Sequence, residues 1–116
     1  MSIFYLEAGT NHFGKQNEAL QVLNFFLKSN YKNLTFMIQS EEFIDKHLKR
    51  GIDFRLSKKF YSNALKMCHS KKKKLGLAVC SEKTFKEVYD LNFDFYKLLS
   101  LGINNFKLID MLKKKN

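Results

Sequence analysis

Two kinds of apolar segment alternate along this chain, and that alternation constrains the fold more than any other feature. Ile3 to Leu6, Leu34 to Ile38, Leu75 to Cys80 and Phe93 to Leu99 are short, nearly continuous apolar runs of strand length. Between them the apolar residues take helical spacing. Ala19, Leu20, Leu23, Phe26 and Leu27 make one stripe, and Phe60, Ala64, Leu65 and Cys68 make a second. Phe85, Val88 and Tyr89 suggest a short third, and Phe106, Ile109 and Leu112 a fourth. A further short helix is expected at Glu41 to Lys49, within the long connection from Ser40 to Ser57. The order βαβαβαβα predicts an α/β fold with a parallel sheet, because parallel neighbours need crossover helices. Strands that are apolar along their whole length are what a covered parallel sheet demands.

The 116 residues allow one domain at most, with no linker and no internal repeat. With 45% hydrophobic residues the chain can build a packed core. It has no run of ~18 apolar residues that could cross a membrane, and no basic-then-apolar leader. Cys68 and Cys80 form no CxxC pair and are expected as reduced thiols in a cytoplasmic protein. Without secretion, the sequon Asn33-Leu34-Thr35 carries no meaning.

A net charge of +10 suits an anionic partner, either nucleic acid or a small phosphorylated metabolite. The Lys71–Lys74 run reads as a solvated helix end that complements a C-terminal dipole. No aromatic-rich motif accompanies it, which argues against RNA.

Parallel α/β folds gather their sites at the carboxyl ends of the strands, where the loops converge. There the sequence places Glu7 with Asn11 and His12, then Gln39, then Cys80 and Ser81, then Lys97 and Ser100. Each also has an ordinary reading. Glu7 could pair with a surface lysine, and His12 could simply be hydrogen-bonded in its loop. Ser100, Asn104 and Asn105 could cap the last helix, with Asn104 the natural choice. Lys97 stands out, because a charge in an apolar strand is costly unless paired or solvated.

Glu7-Ala8-Gly9-Thr10-Asn11-His12-Phe13-Gly14 resembles the E-x-G-x-N-H-x-G motif that opens the sialic acid synthase family, which includes N-acetylneuraminate, legionaminate and pseudaminate synthases. Phe95-Tyr96-Lys97-Leu98-Leu99-Ser100 resembles its F-Y-K-I-A-S strand. Leu34 to Gln39 and Gly76 to Ser81 are similar to the second and third strands, and the order and spacing agree over nearly the whole chain.

The resemblance implies the first half, about four βα units, of a TIM-type (β/α)8 barrel, which needs roughly 250 residues when complete. It also implies a reaction, the condensation of phosphoenolpyruvate with an N-acetylated sugar such as N-acetylmannosamine, giving a nonulosonic acid. By resemblance, Glu7 would bind sugar hydroxyls, Lys97, Ser100 and Ser81 would bind phosphoenolpyruvate, and Asn11 and His12 would line the pocket, with Gln39 at the end of the second strand.

The departures are as specific. Met37 stands where the family has a phosphate-binding lysine, and Gly102 where it has a catalytic glutamate. A divalent Mn or Mg ion belongs to the family's chemistry, but its histidine ligands lie on later strands than this chain has. The expectation is therefore a truncated synthase-like domain, residues 1–116, inactive alone. Its open sheet edges should pair with a second copy or with a complementary half-barrel chain. The alternatives are a small basic α/β protein that binds nucleic acid, or one half of a split phosphoenolpyruvate-condensing enzyme.

Overall fold

The computed structural model describes residues 3–115. Its elements follow in the order β1 (Tyr5–Gly9), α1 (Gln16–Lys28), β2 (Asn33–Met37), α2 (Glu41–Leu48), α3 (Lys58–Ser70), β3 (Lys74–Val79), α4 (Glu82–Lys86), β4 (Phe95–Leu98) and α5 (Phe106–Lys113). A 3-10 turn, Ser100–Gly102, precedes α5. The strands form one parallel sheet in the order β1-β2-β3-β4. Sequential parallel strands joined by crossovers of one hand place their helices on one face.

That face holds the core. Leu34, Phe36, Leu75, Leu77 and Val79 point into it from the central strands and are at most 1% exposed. They meet Ala19, Leu23 and Phe26 of α1, Phe60, Tyr61, Ala64 and Cys68 of α3, Phe85 of α4 and Leu108 of α5. The stripes anticipated from helical spacing are thus the buried faces of those helices. Two positions depart from this. Leu20 is 37% exposed at its stripe's edge. In α5 the expected Phe106 is 76% exposed while Leu108 is buried, with Met111 and Leu112 packed beside it, so that stripe is rotated from its expected position.

Helix starts follow their caps. Ser40 and Ser57 each accept, through the side-chain oxygen, the backbone N–H three residues on, from Phe43 (3.2 Å) and Phe60 (3.0 Å). Asn105, not Asn104, caps α5, its Oδ1 accepting the Leu108 N–H at 3.1 Å. The chain spends the extra residue on the 3-10 turn, so the cap falls one position later.

The lysine run is also placed differently from expectation. α3 ends at Ser70, Lys72 takes a left-handed φ of 58°, and Lys74 already begins β3. Lys73 is 5% exposed, and its Nζ donates to the carbonyls of Phe26 (2.7 Å) and Ser29 (2.6 Å). It also lies 4.7 Å from the centre of the Phe26 ring. The lysine does answer a helix C-terminus, but that of α1 rather than of its own helix. Burial, with Lys32 and Lys71 nearby, holds its pKa below the usual lysine value.

Among the described residues, no helix covers the opposite face of the sheet. It is formed by Tyr5 and Glu7 of β1, Thr35 and Met37 of β2, Gly76 and Ala78 of β3, and Phe95 and Lys97 of β4, by the strand register. Small residues occupy the middle and large ones the outer strands. A Cβ on Gly76 would fall 2.2 Å from the Phe95 ring, so glycine there lets that ring lie across β3. The Tyr5 and Phe95 rings, from strands three places apart, then meet edge to face at 5.1 Å. The sheet is therefore curled, with this face concave.

Candidate functional site

β1 ends in a bulge between Glu7 and Gly9, where Gly9 adopts a φ of 58°. A bulge re-aims the strand end, and the chain turns directly into the loop that carries Asn11 and His12. Asn11 is exposed at its tip. His12 is 2% exposed, and its Nδ1 accepts the Gly14 N–H at 2.8 Å. Its ring lies 6.4 Å from that of Phe36, a residue of the helix-covered face. The acceptor role of Nδ1 puts the proton of the neutral ring on Nε2. That atom is the one buried side-chain N or O without a partner among the described residues. Burial also lowers the His12 pKa below the ordinary imidazole value. Gly14 closes the loop with a φ of 73°, packed so tightly that a Cβ would lie 1.5 Å from the Asp53 carbonyl oxygen. Phe13 rests on Phe54 with ring centres 5.6 Å apart. The segment around residues 51–56 thus clamps the loop from outside.

Glu7 and Lys97 come together on the concave face, where the Lys97 Nζ donates to Glu7 Oε1. Both side chains remain 51% exposed. Lys97 shares a register level with Met37 and Ala78, and Gln39 donates from Nε2 to the Met37 sulfur at 3.0 Å. Glu7, Met37, Gln39 and Lys97 therefore form one cluster at the carboxyl rim of the sheet. The charge in the apolar strand is satisfied both ways that physical chemistry allows, by a partner and by water.

Ser81 and Ser100 are placed apart from this pair. Ser81 lines a cleft of about 450 Å³ with Ser40, Glu42, Glu82, Leu101 and Asn105. Glu41, Glu42 and Glu82 occupy the first turns of α2 and α4, and Lys83 pairs with Glu41 at 3.4 Å. These carboxylates already complement the helix N-termini where an anion would otherwise sit. The cleft suits hydroxyl groups better than phosphate. Ser100 is exposed at the start of the 3-10 turn.

Gly102, where the sequence resemblance would set a glutamate, is buried and closely packed. A Cβ there would lie 2.9 Å from a Leu108 methyl, 3.0 Å from a Leu98 methyl and 3.1 Å from the Cys80 Cα. No set of three or more His, Cys, Asp or Glu side chains converges among the described residues. The described residues therefore offer no donor set that fits a divalent ion. Cys68 and Cys80 are buried. Desolvation pushes the Cys68 thiol up to about 11 and raises that of Cys80, which removes both as nucleophiles.

A different concavity lies at the amino-terminal rim, the end remote from the motif residues. This groove, also about 450 Å³, sets Phe4, Tyr5 and Tyr31 beside Lys32, Lys72 and Lys74. The sequence run Lys71–Lys74 signalled its charge, but its aromatic half comes from segments distant in the chain. No helix among the described residues is long and apolar enough to cross a membrane.

The sequence matches no protein-family model and no curated protein. Among solved structures it is similar to the spore coat polysaccharide biosynthesis protein SpsE of Bacillus subtilis, with a TM-score of 0.72 and 18% sequence identity. The match covers 98% of this chain and 34% of that protein, so this chain spans about a third of its length. At that identity the likeness is one of fold. The alternation of strands and helices predicts the parallel α/β order that is found, and the four βα units match a part of a (β/α)8 barrel, as the sequence resemblance implies.

Proposed function

We propose that the chain is a relative of the sialic acid synthases that carries a half-site for phosphoenolpyruvate and an N-acetylated sugar. One observation carries this reading. The two specific motif matches are separated by 90 residues, and their charged members, Glu7 and Lys97, meet at one end of one sheet face. Lys97 is the cation for the phosphate or carboxylate of phosphoenolpyruvate, and Glu7 accepts hydrogen bonds from sugar hydroxyls. An arriving anion draws Lys97 from Glu7 at small cost, since an exposed pair is worth at most about 1 kcal/mol. Gln39, bonded to the Met37 sulfur at the level of Lys97, borders the pair. Asn11 and Ser100 add exposed polar groups on the neighbouring loops, and the cleft of Ser81 offers hydroxyl-compatible walls. His12 acts from beneath by fixing the loop. Met37 and Gly102 remove a phosphate ligand and an acid/base group, so the activity read for this chain is binding, with turnover dependent on groups from elsewhere.

Isothermal titration of the purified chain with phosphoenolpyruvate, with and without Mn²⁺, tests the reading. Binding is expected in the wild type and a loss of at least about tenfold in Lys97→Ala, the scale of a charge-assisted hydrogen bond. A folded wild-type chain that takes up no phosphoenolpyruvate would sink it. The aromatic and lysine-lined groove at the opposite rim favours a second reading, binding of single-stranded nucleic acid by stacking and phosphate contacts. Its mark would be an affinity that falls steeply with salt.

A further inference from the structure

We propose that two copies of this chain close around a common axis, the β4 edge of each pairing with the β1 edge of the other, so that both concave faces enclose one eight-stranded barrel. This rests on the fold and not on the reaction proposed above.

The sheet ends in two unpaired edges among the described residues, β1 and β4, each offering a row of backbone donors and acceptors. All four strands run the same way, so a half-turn about an axis along the sheet keeps every strand of the pair parallel. It also brings β4 of each copy to β1 of the other, at two identical seams. Four strands and four strands make the eight at which side chains just fill a barrel interior.

The chemistry of the edges is complementary. β1 carries Tyr5 and Glu7 on the concave face, and β4 carries Phe95 and Lys97. Within one copy these already meet across the hollow as Tyr5 with Phe95 and Glu7 with Lys97. Closure replaces each contact by the same contact across a seam, and adds two strand pairings. An inward-pointing lysine ordinarily discourages edge pairing. Here it selects an edge that presents a carboxylate, and this chain's own β1 does so.

The surface area agrees. The chain exposes 7658 Å², whereas a compact monomer of its 13.7 kDa mass would expose about 6,600 Å². The excess of roughly 1,000 Å² is close to the ~800 Å² that each partner buries in a stable interface. Tyr5 is 54% exposed on the face that closure would cover.

Light scattering across a concentration series should give twice the 13.7 kDa chain mass. Glu7→Lys and Lys97→Glu each set like charges against each other at both seams, so each variant alone should lose most of its dimer. Mixed in equal amounts, they should form a one-to-one dimer, read by native mass spectrometry. Repulsion inside each variant persists in the mixture, so recovery can come only from pairing across the seams. A wild type that stays monomeric, or that grows beyond two copies, overturns the proposal, as does a mixture that stays monomeric. Circular dichroism checks that the variants fold. Should one not fold, hydrogen exchange on the wild type decides. Slow exchange of outward-facing β1 and β4 amides that quickens on dilution supports the closed pair, and fast exchange throughout overturns it.

Discussion

The two faces of the sheet are built from the same strands and obey different rules. On the helix side, Leu34, Phe36, Leu75, Leu77 and Val79 are shut away almost completely, and their identity is fixed by volume and apolarity. On the concave side, the middle is closed only by its own margins, as the Phe95 ring lying over Gly76 shows. The outer strands there present Tyr5, Glu7, Phe95 and Lys97, two aromatics and two opposite charges. One face is finished within the chain. The other is arranged as complementary pairs that water, a ligand or another protein surface can share. Stability should therefore be concentrated on the first face and binding on the second.

The sharpest way to break that contrast is Phe36→Ala. Phe36 is fully buried and touches Phe60 and Tyr61 edge to face, so a loss of about 3–5 kcal/mol is expected in denaturant unfolding. A loss below about 1 kcal/mol would mean that the helix side is not the structural core.

Lys73→Ala probes a polar device within the covered side. It strands the carbonyls of Phe26 and Ser29 at the end of α1, and about 1–3 kcal/mol should be lost. Lys73→Arg should recover little, because a forked guanidinium does not replace a compact ammonium in that space.

His12 contributes a smaller, pH-dependent effect. Its folded pKa lies below the ordinary imidazole value because burial disfavours the cation. As pH falls through that ordinary value, near 6.5, the unfolded chain takes up a proton that the folded chain refuses. Stability at this residue is thus full above that pH and declines on acidification towards the folded pKa. The denaturation midpoint of the wild type should drop between about pH 7.5 and pH 5.5, and His12→Gln should flatten that part of the curve. An unchanged slope in the variant would assign the acid sensitivity elsewhere.

Glu7→Gln should do least to stability, at most about 1 kcal/mol, since both members of its pair are half in water. Its larger consequence should appear in ligand or partner binding. If Glu7→Gln instead unfolded the chain, the division between the faces would fail.

Much of this arrangement was readable from residue order. The strand-length runs and helical stripes located every strand and helix, with boundaries shifted by one to three positions, because hydrophobic periodicity reports burial and not hydrogen bonding. Thus β1 starts at Tyr5 and continues to Gly9, since the bulge lets polar Glu7 belong to the strand. The sequence named both Glu7 and Lys97 and allowed Glu7 a lysine partner, but their contact across a curled sheet could not be read from it. Lys73 was not legible. Four consecutive lysines look alike, and only the left-handed turn at Lys72 decides which one is driven inward. His12 was named for its chemistry, yet it is buried with its ring near Phe36, in a loop whose Phe13 and Gly14 pack on Phe54 and Asp53, far along the chain.

Gly102 has a consequence for descent. The space an acid would need at that position is filled by Leu98, Leu108 and the Cys80 backbone. A change from glycine to glutamate alone would therefore meet a steric wall, and the leucines would have to shrink before it could be accepted. Either leucine replacement made first would open a void in the core without any return in activity. Packing of this kind works as a ratchet. In any lineage that reached glycine here from a carboxylate, the route back would run through less stable intermediates, and selection would more readily recruit the remaining surface for a new task.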